Sequence, residues 1–365
     1  MHAFVLTGHG GFDKLEYHHD WPIPQAQKGE VVIRVGACGL NNTDINTRTA
    51  WYSEAVTEGV TDNGGKDGFD SIDAASGNWS SSKMTFPRIQ GADVAGHIVA
   101  VGDAVDPARI GERVILDPWI LATGDWMDSA RSGYFGSECD GGFAQYTKLR
   151  SENAIAIHSS LSDAQLATFP CAYTTAENLV SKTGLKPGET VVIAGASGGV
   201  GTAAIQLCRL RGARIIAIAA MSKAPALIEL GADSVIDRNT LDLETAIRDA
   251  ANGPVDVALD VVGGKMFPAL IKSLRQSGRY ASSGAIAGPM IEFDLRQLIY
   301  KDLQLSGATI VPPGTMLRVV RLIEQGLLKP QLAQSFPLKD LVQAQTVFLD
   351  KNYIGNIVVS NEVDE

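Results

Sequence analysis

The chain has 365 residues, 45% of them apolar, with a formal net charge of −10 and a pI near 5.1. That length exceeds one comfortable hydrophobic core, so two globular domains are expected, and the acidic balance excludes polyanions such as nucleic acid or an anionic membrane surface as the main partner. Residues 1–8 lack a basic segment leading into an apolar run, no stretch is long and apolar enough to span a bilayer, and Cys38, Cys139, Cys171 and Cys208 form no C-x-x-C pair; a cytoplasmic protein with reduced thiols, no membrane partner and no disulfide or zinc-knuckle scaffold follows.

Ala3–Leu6 and residues 30–37, 94–101 and 112–116 alternate in strand fashion between turn signals such as Pro22 and Pro24, which predicts an antiparallel, β-rich unit. After about residue 160 the texture changes. Helical patterns at 162–182, 200–211, 223–230, 242–251 and 264–275 alternate with strands at 190–194, 214–219, 234–237, 255–261 and 278–283, the order of a doubly wound parallel sheet. Beyond Pro312-Pro313, helices at 315–325 and 338–350 and a last strand, Asn356–Ser360, are expected to return to the first unit.

Residues 191–201, Val-Val-Ile-Ala-Gly-Ala-Ser-Gly-Gly-Val-Gly, run from a β-branched strand into a glycine-rich turn that opens a helix. Gly198, Gly199 and Gly201 allow a tight turn, close approach of a pyrophosphate and close helix–strand packing, while Ala196 takes the place of the first glycine of a dinucleotide fingerprint. The following strand ends in Ala220-Met221-Ser222-Lys223 with no acid to receive a ribose hydroxyl. A hydroxyl and an ammonium suit a 2′-phosphate instead, so NADP(H) is expected; otherwise Lys223 only opens a solvated helix face.

Seven segments together carry a family resemblance: Ala37-Cys-Gly-Leu-Asn-Asn-Thr-Asp44, Gln90-Gly-Ala-Asp-Val-Ala-Gly-His-Ile-Val99, Gly111-Glu-Arg-Val114, Asp140-Gly-Gly-Phe-Ala-Gln-Tyr146, Gly195-Ala-Ser-Gly-Gly-Val-Gly201, Asp260-Val-Val-Gly-Gly264 and Gly278-Arg-Tyr280. The chain resembles the medium-chain dehydrogenase/reductases, in particular their zinc-free quinone oxidoreductase branch. The resemblance implies an α/β protein with a GroES-like β-rich catalytic domain from both chain ends (1–172 and 314–365), a Rossmann domain with a doubly wound parallel sheet (173–313), and a homodimer or homotetramer. It also implies cofactor contacts: Thr175 at the nicotinamide, Ser197, Gly198, Gly199 and Val200 at the pyrophosphate, Ser222 and Lys223 at the 2′-phosphate, Val262 and Gly263 under the ribose, and Ser283, Gly284 and Ala285 at the carboxamide. Arg238 stands where relatives stack an aromatic on the adenine, and either does so through its guanidinium or is a free surface arginine. Asn356 replaces a usual lysine after Gly355, which removes an ammonium from that side of the cofactor.

Zinc-dependent relatives carry metal ligands where this chain has Asn41, Ala92 in Gly91-Ala92-Asp93, and Cys171; only the last keeps a metal-binding donor. The segment 118–137, where such relatives hold four cysteines, has none. No metal is therefore expected, and Cys38 and Cys171 read as packed thiols. Without a Lewis acid, the feasible chemistry is hydride transfer from NADPH to an already electrophilic small molecule, a quinone or an α,β-unsaturated carbonyl. Asn41 is the expected donor to the substrate oxygen, with Asp44 orienting it or relaying a proton and Arg48 as a pairing partner; the alternative is an Asp44–Arg48 salt bridge with a structural role. Asn46 replaces an aromatic often found there. Two other functions stay open: an alcohol dehydrogenase-like enzyme with an atypical metal site, and a cofactor-binding protein without catalysis.

Residues 50–86 form an insertion with Glu54, Glu58, Asp62, Asp67, Asp70 and Asp73 against Lys66 and Lys83, with Trp51, Tyr52 and Trp79 near its ends. It is either a lid over the substrate, its acids disfavouring anionic substrates such as acyl-CoA, or a disordered or subunit-contacting segment.

Overall fold

Apolar side chains at Val31, Ile33 and Val35 bury the strand Glu30–Gly39 so completely that it becomes the axis of a seven-stranded sheet. Asp93–Val101, Tyr146–Arg150 and Asn356–Ser360 pair with it, all antiparallel, and Leu332–Pro337 runs parallel to the last of these. The chain's end thus returns to the sheet of its beginning. The computed structural model describes residues 1–60, 64–69, 84–128 and 130–361, and among them no helix is long and apolar enough to cross a membrane.

The second sheet has six parallel strands in the spatial order Ser234–Asp237, Arg214–Ala219, Thr190–Ala194, Val255–Asp260, Leu274–Ser282 and Gln304–Gly307. Strand order reverses direction between Thr190–Ala194 and Val255–Asp260. A crevice at that switch point, beyond the carboxyl ends of the strands, is where doubly wound sheets bind ligands. Val191, Val192 and Ile193 are all buried, as a strand covered by helices on both faces requires.

The predicted helix over 162–182 is two helices, Asp163–Leu166 and Pro170–Thr183, because Pro170 lacks the N–H that an unbroken helix would need and instead starts the second. Strand Leu274–Ser282 begins four residues earlier than expected and absorbs the extra length as a register shift opposite Val255 and Val257. The strands Gln304–Gly307 and Leu332–Pro337 are absent from the sequence expectation; both are edge strands, mostly exposed, and show no buried alternation to detect.

Helix Pro170–Thr183 packs on the crossover helix Gly199–Leu210 and is fastened there by Glu177, whose carboxylate accepts from Arg211 at 2.7 and 2.8 Å. The crossover helix can lie close to its own strand because Gly201 has no side chain: a Cβ there would fall against the carbonyl oxygen of Gly195 and the backbone of Ala196. Gly201→Ala is expected to lower the unfolding free energy by about 1–3 kcal/mol, the range for forced overpacking, as read from denaturant titration.

Candidate active site and cofactor cleft

The glycine-rich turn Gly195–Gly201 forms one wall of a cleft of about 450 Å3. Leu40, Asn41 and Asn42 face it from the catalytic sheet, and Phe348, Lys351, Tyr353, Gly355 and Asn356 close it from the C-terminal segment. Two backbone contacts hold the walls together: the Gly355 N–H donates to the Ser197 carbonyl at 2.9 Å, and Gly198 bridges to Gly355. The N-terminus of helix Gly199–Leu210 opens into this space with Gly198 before it, offering N–H groups to an anion.

A hollow of about 470 Å3 continues from the cleft towards Ser222, Lys223 and Arg238. Lys223 donates to Ser197 Oγ at 3.2 Å, the Lys351 carbonyl at 2.8 Å and the Tyr353 carbonyl at 2.6 Å. It is no free solvated helix residue; with three donors engaged it offers charge rather than hydrogen bonds to a phosphate. Arg238 is exposed and lines both spaces. Val262 and Gly263 donate their N–H groups to Asp260 Oδ1 at 2.7 and 3.1 Å, and Tyr280 donates its hydroxyl to Oδ2 at 2.8 Å, fixing the turn after strand Val255–Asp260. Beyond this turn the cleft is lined by Ile286 and Ala287 rather than by Ser283, Gly284 or Ala285.

At the inner end stands Asn41. Its side-chain Nδ2 donates to Asp93 Oδ2 at 3.0 Å, and its backbone N–H donates to Asp44 Oδ2 at 2.7 Å. Asp44 sits three residues into helix Asn42–Thr49 and reaches back to its cap, which fixes the asparagine's backbone. Asp93 also accepts the Cys171 N–H at 2.8 Å through Oδ1, capping helix Pro170–Thr183 from a different sheet, as Phe169 has no capping side chain. Both carboxyls are buried, and desolvation pushes Asp44 to about 7 and Asp93 to about 8.

Around Cys171 lies a buried aromatic and apolar cluster: Ala92, Trp119, Tyr134 and Val311 pack together with the half-buried Leu121 and Ile310. The Cys171 thiol meets the hydroxyls of Tyr134 and Thr175, and burial together with the neighbouring Asp93 drives its ionisation far above the ordinary range. Tyr52 extends from the start of the insertion and donates to Thr43 Oγ1 at 3.3 Å. A catalytic zinc needs three protein donors, whereas the three ligand positions here present an amide, a methyl and a single thiol. Among the described residues no three His, Cys, Asp or Glu side chains converge to hold a metal. The residues do not fit a catalytic zinc.

Arg48 is corrected. It is fully buried, forms no ion pair with Asp44 or another carboxylate among the described residues, and donates instead to the Gly10 carbonyl at 2.8 Å, the Gly65 carbonyl at 2.7 Å and Gln345 Oε1 at 3.2 Å, with Phe12 beneath its guanidinium. Asp44 is already engaged by the helix cap, so Arg48 turns away from the cleft and binds the insertion to the catalytic domain. That insertion is folded at its described ends: Trp51 Nε1 donates to the Glu58 carbonyl at 2.9 Å, and the Val60 N–H donates to the Ile286 carbonyl at 3.0 Å across the cleft. Asp62, Asp70, Asp73, Trp79 and Lys83 lie outside the described residues. The sequence reading did not find Tyr134 or Lys351 as site residues, and named Asp93 only beside the vacated ligand position Ala92.

Residues 27–159 match the alcohol dehydrogenase GroES-like domain and residues 199–325 the zinc-binding dehydrogenase family. A solved structure of a provisionally assigned alcohol dehydrogenase from Sinorhizobium meliloti 1021 is 44% identical, covers 99% of this chain and 96% of its own, and superposes with a TM-score of 0.89. The chain belongs to the medium-chain dehydrogenase/reductase superfamily. It is accordingly an oxidoreductase with a GroES-like domain and a Rossmann-like parallel sheet. The acryloyl-coenzyme A reductase of Sulfurisphaera tokodaii is 26% identical over 371 residues, covering 98% of this chain and 99% of its own. A cobalt- and zinc-bound alcohol dehydrogenase from Pyrobaculum aerophilum is 25% identical with a TM-score of 0.81, covering 99% of both chains.

Asp93 carries a pH signature. Its folded pKa of about 8 lies above the unfolded value of roughly 4, so its contribution to stability is fully present below that lower value and is lost as pH rises through about 8. Asp93→Asn keeps an oxygen for the Cys171 N–H without the ionisation. Relative to the parent, this variant is expected to gain stability steadily as pH rises from about 4 to about 8 and to level off above that, measured by unfolding at a series of pH values.

Proposed function

We propose that the chain is a zinc-independent, NADPH-dependent reductase of α,β-unsaturated carbonyl compounds or quinones. The observation that carries this is the Asn41–Asp93–Cys171 arrangement, in which a neutral hydrogen-bond donor stands where zinc-dependent relatives carry a metal ligand. NADPH, when bound, supplies the hydride. One Nδ2 hydrogen of Asn41 is engaged by Asp93 and the second remains for a substrate oxygen, where it would stabilise the negative charge that develops as hydride reaches the conjugated carbon. Asp44 and Asp93 hold the amide in place, so it need not reorganise during reaction. Trp119, Tyr134, Leu121 and Ile310 form an apolar cluster beside Cys171 that excludes water and suits a flat conjugated acceptor, and Tyr52, whose burial disfavours ionisation, is within electrostatic reach of that cysteine. The name of the Sulfurisphaera tokodaii relative describes reduction of an unsaturated thioester, which supports the conjugated-carbonyl half of this reading.

Preference for NADPH rests on Ser222, Arg238 and the charge of Lys223 around the adenosine-side hollow, with no carboxylate at the end of strand Arg214–Ala219 to repel a 2′-phosphate. The cofactor domain spans 173–313 and the two flanking segments form the catalytic domain. The insertion acts as a substrate lid anchored at Ile286, and its acids select against anionic acceptors. NADPH oxidation by a panel of enones, quinones and aldehydes, with and without chelator, tests the reading. Turnover of enones or quinones that survives chelation is expected, and Asn41→Ala should lower kcat by about 100-fold. Activity abolished by chelation and restored by zinc would favour the atypical-metal alcohol dehydrogenase instead.

We propose that the protein is a homodimer paired along the free edge of strand Gln304–Gly307. Leu305 on that strand and Leu295, Ile299 and Tyr300 on the preceding helix are exposed, an apolar group that a monomer would leave in water. Leu305→Lys should convert dimer to monomer in light scattering while leaving the melting transition cooperative.

A further inference from the structure

Lys351 ends helix Leu341–Asp350 in the left-handed conformation, with φ at 55°. Its ammonium lies 3.7 Å from the centre of the Phe348 ring and donates to Asn42 Oδ1 at 3.1 Å. Lys351 lines both the glycine-turn cleft and the adenosine-side hollow, and the partner its ammonium holds, Asn42, belongs to the wall of the cleft alone. Lys223 comes alongside through its bond to the Lys351 carbonyl, and Arg238 lines the same two spaces. Among the described residues none of these three cations forms a salt bridge with a carboxylate; their recorded partners are hydroxyl, carbonyl, amide and ring. In a chain of net charge −10, three uncompensated cations around one cleft form a local reversal of sign. Burial and the Lys223 charge lower Lys351 to about 7, a cost in the free protein that a bound anion would offset.

The opposite wall is the N-terminus of helix Gly199–Leu210, whose N–H groups call for negative charge as well. We propose that Lys351 is a pyrophosphate ligand brought to the cofactor by the catalytic domain, filling from a different place in the chain the role left empty by Asn356. The assignment rests on the dinucleotide reading of the cleft. Asn42 precedes the Asp44 that fixes Asn41, so the same side chain links the cofactor's phosphates to the turn holding the substrate-side amide.

Lys351→Met keeps the aliphatic packing on Phe348 and removes the charge; Lys351→Arg restores it, and Lys351→Gln supplies a neutral polar control. Dissociation constants for NADPH and NADH, measured by calorimetry on the full chain, should rise in parallel by roughly 10- to 100-fold in the methionine and glutamine variants and stay within about threefold of the parent in the arginine variant. The unliganded methionine variant should melt no lower than the parent, because it loses a desolvated cation beside Lys223. Unchanged affinity in the methionine and glutamine variants overturns the assignment, as does a loss confined to NADPH, which would transfer Lys351 to the 2′-phosphate. If the parent protein binds neither dinucleotide, the dinucleotide reading itself is overturned and the assignment with it.

Discussion

The carboxyl group of Asp93 is the joint on which the site depends. One oxygen receives the amide of Asn41 from the turn after the central strand, and the other receives the N–H of Cys171 at the head of the helix that enters the cofactor domain. Three segments far apart in sequence therefore share one buried acceptor, and displacement of any of them would strand a polar group away from water. The same burial that makes the joint rigid also disfavours its charge.

Around that joint the two sheets contribute different physics. The parallel sheet supplies backbone: a glycine turn, a helix terminus and the Asp260-braced turn, all suited to phosphate and ribose and largely indifferent to side-chain identity. The antiparallel sheet and the C-terminal segment supply side chains: an amide, aromatic walls and an ammonium. Chemistry can thus diverge on one sheet while the other keeps a turn and a helix terminus suited to an anion.

Five of the six strands of the parallel sheet were legible because fully buried β-branched runs such as Val191–Ile193 sit between glycine-bearing turns and have no other stable use, whereas the exposed edge strand Gln304–Gly307 was not. The glycine turn, Asn41 and the vacated ligand positions were readable for a similar reason: each is a local pattern. Arg48 misled for a physical reason. The i, i+4 spacing from Asp44 suggests a pair on one helix face, but a carboxylate at the third helical residue is better used by the unsatisfied N–H groups of the cap, and the arginine finds carbonyls elsewhere. Lys351 and the bridging role of Asp93 were not legible, since their partners are 309 and 78 residues away and no spacing rule reaches that far.

The hydrogen bond from Val60 to the Ile286 carbonyl crosses between the two halves of the molecule at the rim of the cleft. A crevice between domains ordinarily widens by hinge rotation to admit its occupants. Here such a rotation must either rupture that backbone link or carry the described end of the insertion along with the parallel-sheet half, so widening of the cleft and displacement of that segment become steps of one motion.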